Sequence, residues 1–137
     1  MKNLKIESTE CTFGIDFNAE KNILKFSGES RPENCPEFFS PILNWMEDYN
    51  KFLYYKIGVS VVKELTITVD FKLDYFNSTS AKYILDILLF LNKLQRENPT
   101  VLLAVNWFYK SIDEDMLDCG EEFKKMSGLT INLVSFD

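Results

Sequence analysis

Histidine is absent from the 137 residues. The side chain best suited to proton transfer near neutral pH, and the usual nitrogen ligand for metals, is therefore missing. Ser–His and Cys–His nucleophile systems are excluded within the chain. Cysteine is scarce. Cys11, Cys35 and Cys119 are widely spaced and form neither a metal-knuckle pattern nor a disulfide framework, which suggests structural thiols in a reducing compartment. Glycine and proline number only five and four, and no low-complexity linker or internal repeat divides the chain. Neither Gly-x-Gly-x-x-Gly nor Gly-Lys-Ser/Thr occurs, so the familiar phosphate-cradling loops are missing. Long apolar runs are missing as well. Nothing after Met1-Lys2-Asn3-Leu4-Lys5 resembles the core of a signal peptide, and no window approaches a membrane span. These absences predict a cytoplasmic protein without membrane insertion. Basic clusters are also lacking: 15 Lys and Arg face 21 Asp and Glu, for a net charge of −6. A nucleic-acid backbone or an anionic membrane is a poor partner for such a surface.

What the chain does have is aromatic bulk. Twelve Phe, six Tyr and two Trp are enough to fill one core, and the length suits one domain over 1–137. Cys11 to Phe17 and Ile23 to Gly28 read as strands joined by a turn at Asn18–Asn22. Asn34 and Glu37 stand in capping-box spacing before a helix carrying Phe38, Ile42, Trp45, Met46 and Tyr49, with Pro41 a predicted kink or restart. Leu65 to Tyr75 is the clearest strand. Leu65, Ile67, Val69, Phe71, Leu73 and Tyr75 share one face; Thr66, Thr68, Asp70, Lys72 and Asp74 share the other. Such alternation predicts a sheet covered on one side and wet on the other. Ser80 to Gln95 is helical, with Ile84, Leu88, Leu91 and Leu94 in one stripe. Val101 to Trp107 is a central strand. Ser111, with Glu114 three residues later, starts a third helix whose buried side is Met116, Cys119, Phe123 and Met126, and Gly128 ends it. Leu129, Ile131, Leu133 and Ser135 close on an edge strand. The predicted order is β-β-α-β-α-β-α-β, an α/β fold with a mixed sheet and parallel pairings. Its helices lie mainly on one face, and the architecture resembles the STAS-like antagonist domains of anti-sigma factors.

Chemistry concentrates at Tyr75-Phe76-Asn77-Ser78-Thr79-Ser80-Ala81-Lys82. Three consecutive hydroxyls stand where strand gives way to helix. Free backbone N–H groups at a helix start favour an anion, so the junction reads as a candidate phosphoacceptor or phosphate-binding site. Simple capping is the competing reading, because Asn, Ser and Thr are common N-caps. The acidic run Asp113-Glu114-Asp115, with Asp118, Glu121 and Glu122, lacks cation-loop spacing and suits a helix dipole. Trp45 and Trp107 read as core. Tyr54-Tyr55 and Phe108-Tyr109 are better candidates for a partner surface.

Three ordered blocks carry a family resemblance across Cys11 to Val134. They are Gly28-Glu29-Ser30-Arg31-Pro32-Glu33-Asn34, before Phe38-Phe39 and Trp45; the Tyr75–Lys82 segment followed by Asp86; and Asn106-Trp107-Phe108-Tyr109 with Asp113-Glu114-Asp115-Met116 and Gly120-Glu121-Glu122-Phe123. The chain resembles the SiaC-type regulatory phosphoproteins, bacterial proteins of STAS-like fold. That resemblance implies a non-enzymatic switch without catalytic residues, metal or cofactor. It implies a cognate serine/threonine protein kinase, a metal-dependent serine/threonine protein phosphatase, and a diguanylate cyclase activated by the unphosphorylated form. Cyclic-di-GMP signalling and biofilm regulation follow from the last partner. The family's acceptor follows the Asn directly, which is Ser78 here in place of the usual Thr, with Thr79 the alternate. Asn77, Ser80 and Lys82 are the expected supports. Arg31, Glu33, Asn34, Ser78, Thr79 and Lys82 form the expected partner surface. The alternative function is a constitutive STAS-like adaptor or anti-sigma-factor antagonist.

Overall fold

A computed structural model describes residues 1–59 and 64–137. In chain order the elements are β1 (Leu4–Ile6), β2 (Gly14–Asn18), β3 (Ile23–Ser30), α1 (Cys35–Val59), β4 (Leu65–Phe76), α2 (Ser78–Glu97), β5 (Val101–Lys110), α3 (Glu114–Ser127) and β6 (Ile131–Phe136). The six strands lie side by side in sequence order. The β1–β2 and β2–β3 pairs are antiparallel, and β3 to β6 run parallel. Each parallel step is bridged by a helix, as a parallel connection requires. The mixed α/β sheet and three helices agree with the sequence reading. The sheet gains one short edge strand, β1, that the expected order omitted.

The β2–β3 turn is built by asparagines. Asn18 Oδ1 accepts from the amides of Glu20 at 3.0 Å and Lys21 at 2.9 Å. Asn22 takes a left-handed φ of 58°, a conformation that asparagine tolerates. Its buried Oδ1 accepts from the Tyr49 hydroxyl at 2.7 Å, and burial pushes the Tyr49 phenol well above its ordinary range. The hairpin is thereby fastened to α1. That helix is continuous through Pro41, so the predicted restart does not occur. Pro41 is exposed, so the carbonyl deprived of its helical donor can turn to water.

The core lies between one sheet face and the helices. Phe26 stacks on Phe71 at 4.5 Å, Phe17 meets Trp45 at 5.0 Å, and Phe39 stacks on Tyr83 at 4.6 Å. Ile84, Leu88, Leu91 and Leu94 of α2 are fully buried, as their spacing predicts. The opposite sheet face is polar. Lys5, Asp16, Lys25, Asp70, Asn106 and Asn132 form one cross-strand row. Within it Asn106 donates to Asp70 at 2.8 Å and Asn132 to Asn106 at 3.1 Å.

Three local expectations change. The β3–β4 register slips between Gly28 and Glu29, leaving Asp74 unpaired. A bulge of this kind reverses the alternation beyond it. Phe76 therefore turns to Trp107 and Phe123, while Tyr75 is 50% exposed instead of core-facing. The third helix starts at Glu114, capped by Asp113, whose carboxylate accepts from the Met116 amide at 3.0 Å. Ser111 sits in the preceding turn and donates to Asp137. Met126 is exposed, and Gly120 and Ser127 occupy the buried side of α3.

Gly120 is a packing requirement. A Cβ there would lie 2.5 Å from Trp107 Cδ1 and 2.8 Å from Leu133 Cδ2. Ala is favoured over Gly in helices by about 1 kcal/mol, but overpacking typically costs about 1–3 kcal/mol. Both contacts are with buried or half-buried side chains, so the second effect wins. Gly120→Ala is expected to lower stability by about 1–2 kcal/mol in urea unfolding; a gain in stability would contradict this packing.

Candidate functional site

Because β3 to β6 are parallel, α1, α2 and α3 all begin at the carboxyl edge of the sheet. Side-chain acceptors cap each helix there: Asn34, Asn77 and Asp113. Asn34 Oδ1 accepts from the Glu37 amide at 3.2 Å, and its own amide donates to the Glu37 carboxylate at 3.2 Å. The capping-box residues are thus partners, with the reciprocal bond made by the Asn side chain instead of its backbone.

Asn77 organises the hydroxyl segment. Its Oδ1 accepts from Ser80 N–H at 2.8 Å and its carbonyl from Ala81 N–H at 2.9 Å. Ser78 and Thr79 are the first two residues of α2, and both are exposed. Their amides precede the first bonds of the helix and belong to the donors an α-helix leaves open at its start. With no acidic residue in the first turn of α2, the positive end of the helix dipole is unopposed there. Lys82 is exposed four residues beyond Ser78, a spacing that places side chains on one helical face.

The third hydroxyl behaves differently. Ser80 is fully buried. Its Oγ donates to the Ser30 carbonyl at 3.1 Å and lies 2.8 Å from Ser30 Oγ. Ser30 is also fully buried, and its carbonyl accepts from Asn77 N–H at 3.0 Å. Cys35 Sγ stands 3.9 Å from Ser80 Oγ. Capping and an accessible hydroxyl therefore coexist: Asn77 caps, Ser80 is locked inside, and Ser78 and Thr79 face solvent.

The same bonds bring the Ser30 block against the Ser78 block, two segments separated by α1 and β4. Arg31 follows directly and is exposed, with one ion pair to Glu29 at 3.5 Å. Exposed pairs of this kind contribute little. Glu33 and Asn34 are also exposed. Ser30, the hub of this junction, was not among the expected site residues, because nothing local marks a serine at a strand end. Tyr75, turned out by the bulge, and Ile112, 90% exposed in the β5–α3 turn, add apolar surface at the same edge.

Among the described residues no group of three or more His, Cys, Asp or Glu is placed to hold a metal ion. The acidic start of α3 instead acts on its neighbour. Partial burial, then the carboxylates of Asp115, Asp113 and Asp118, push the Cys119 thiol above its ordinary value. All three cysteines are free. No helix among the described residues is long and apolar enough to cross a membrane.

The SiaC family regulatory phosphoprotein model matches residues 6–136. The chain belongs to the SiaC family. It is 29% identical over 125 residues to an uncharacterised protein of Pseudomonas aeruginosa (strain UCBPP-PA14), covering 91% of this chain and 90% of that one. The crystal structure of apo-SiaC from P. aeruginosa is similar at 25% identity and a TM-score of 0.76, with 98% of this chain and 99% of that chain covered. SiaC in the crystal structure of the diguanylate cyclase SiaD with its activator SiaC is similar at 25% identity and a TM-score of 0.79, covering 97% and 99%. Membership makes this a regulatory protein rather than an enzyme.

Proposed function

We propose that the chain is a cytoplasmic switch whose unphosphorylated form binds and activates a diguanylate cyclase, and that phosphate on Ser78 ends the interaction. A cognate serine/threonine kinase adds the phosphate and a metal-dependent serine/threonine phosphatase removes it. The observation that carries this reading is the exposed Ser78 hydroxyl, directly after the Asn77 cap at the first position of α2. Thr79 is the alternate acceptor.

A phosphoserine brings about −1.5 to −2 charges at neutral pH. The open amides of α2 and the Lys82 ammonium favour that charge. A partner seated on Ser78, Thr79, Lys82, Arg31, Glu33 and Asn34 would have to desolvate it. The chain already carries a net charge of −6, and against an acidic patch of the partner the added phosphate brings like-charge repulsion as a route to release.

The test is affinity for the genomically linked cyclase before and after complete phosphorylation of Ser78. Binding is expected to weaken at least tenfold, equivalent to about 1.4 kcal/mol, and phosphatase treatment should restore it. Tighter binding by the phosphorylated form would reverse the switch. Equal binding would leave a constitutive adaptor.

A further inference from the structure

The Ser30–Ser80 contact joins two segments that the proposed function treats only as neighbours. We infer that Ser80 and Ser30 are positioning residues: they weld the Arg31–Asn34 loop to the start of α2, so that phosphate on Ser78 is read at that loop as well as at Ser78 itself. This rests on the reading of Ser78 as the modified hydroxyl.

A carbonyl oxygen can only accept, which sets the direction of the first bond. Ser80 Oγ–H donates to the Ser30 carbonyl at 3.1 Å. The bond of 2.8 Å between the two hydroxyls is then donated by Ser30. The Ser30 carbonyl also takes Asn77 N–H at 3.0 Å. One residue of β3 thus holds the capping residue by its backbone and the third residue of α2 by its side chain. Both serines are fully buried. Buried hydroxyls hydrogen-bonded to one another are costly to separate, because each would be left without a partner away from water. The two segments therefore move together.

Asn77 is where a phosphate would act. Its Oδ1 occupies the Ser80 amide, one of the donors that a phosphate on Ser78 also attracts. Competition for that amide shifts Ser80 and Asn77 together, and the Ser80 hydroxyl bonds carry the shift to Ser30 alongside the Asn77 N–H bond. Arg31 comes next in the chain. Its only ion pair among the described residues is the exposed one with Glu29, so little resists its reorientation. On the far side, Arg31 N–H donates to the Cys11 carbonyl at 2.8 Å, which anchors the loop's first residue and leaves Glu33 and Asn34 to respond.

The experiment uses the full chain with phosphoserine installed at position 78 during translation, so no kinase is needed. Backbone amide shifts are compared with the unmodified chain. In the parent sequence, phosphate is expected to shift Arg31, Glu33 and Asn34 as well as Ser78–Lys82. In Ser80→Ala the shifts at Arg31, Glu33 and Asn34 should be clearly reduced while those of Ser78–Lys82 persist, because the hydroxyl bonds to Ser30 are gone and only the Asn77 N–H bond remains. Ser30→Ala keeps the carbonyl acceptor and should give an intermediate loss; it serves alone if Ser80→Ala does not fold. Unchanged shifts at the loop in both variants, or no loop response in the parent, would overturn the coupling. A kinase that leaves Ser78 unmodified would instead sink the proposed function, with this measurement still readable.

Discussion

Ser78→Ala is expected to abolish phosphorylation by the cognate kinase while leaving the fold intact. The two halves of that statement rest on different atoms. The acceptor half rests on exposure: of the three consecutive hydroxyls, Ser80 is fully buried and doubly bonded to Ser30, whereas Ser78 and Thr79 face solvent. A kinase must bring a phosphoryl group in line with the oxygen it modifies, which a buried Oγ does not permit. The stability half rests on Asn77, which makes the capping bond to Ser80 N–H at 2.8 Å. Removing a cap costs about 0.5–2 kcal/mol, and that penalty belongs to Asn77→Ala. Ser78→Ala is a surface change next to the cap, expected within about 0.5 kcal/mol of the parent. Intact mass after kinase treatment and a urea melt together decide it. Phosphorylation of folded Ser78→Ala at the parent rate would move the acceptor to Thr79, and Thr79→Ala would then block it. Ser78→Asp is a weaker probe, since one carboxylate has less charge and fewer acceptor oxygens than phosphate.

The fold was legible wherever one period ran long enough. Ile67, Val69, Phe71 and Leu73 alternate cleanly, and Ile84, Leu88, Leu91 and Leu94 keep helical spacing; all eight are buried. The misses are short or non-local. Leu4-Lys5-Ile6 is too brief to display alternation, and becomes β1 only through pairing with Ile15 and Phe17. The unpaired Asp74 arises from the register of β3 against β4, so nothing within Leu65–Tyr75 predicts that Tyr75 turns outward and Phe76 inward. Ser111 with Glu114 mimics a capping box, but Asp113 closes a turn onto the Lys110 carbonyl at 2.8 Å and takes over the cap. Gly120 carries no side chain to join an apolar stripe, so Met126 looked the better core residue.

The site divides in the same way. Asn77, Ser78 and Lys82 were legible because helix-start chemistry is local. The burial of Ser80 was not, because its partner lies 50 residues away. In a single sequence, Ser30 and Ser80 both look like solvated loop hydroxyls. Only a parallel β3–β4 pair that ends with Ser30 beside Phe76 makes them a pair.

That arrangement depends on Trp107, and Trp107→Ala is expected to be among the most damaging single changes. The indole is fully buried. Its ring centroid lies 5.6 Å from Phe71, 6.1 Å from Phe76 and 5.4 Å from Phe123. Its Nε1–H donates to the Met116 carbonyl at 3.0 Å, tying β5 to the first turn of α3. Truncation opens a cavity among three aromatic rings and removes that donor. Large aromatic-to-Ala changes in cores cost about 3–5 kcal/mol, a large share of the roughly 5–15 kcal/mol that holds a domain folded. Trp107→Phe restores most of the volume but not the hydrogen bond; the Met116 carbonyl keeps its place in the α3 ladder, so the cost should fall near the roughly 0.5–1.5 kcal/mol of one lost hydrogen bond. The loss should also reach the candidate site, since Phe76 packs on Trp107 and directly precedes Asn77. Hydrogen exchange in Trp107→Phe, which stays folded, is expected to speed up at Met116 to Gly120 and, more weakly, at Ser80 and Ala81. A Trp107→Ala protein that loses less than about 1 kcal/mol in urea would mean that Phe71, Phe76 and Phe123 close the gap by themselves, and that the end of β4 does not lean on β5 for its position.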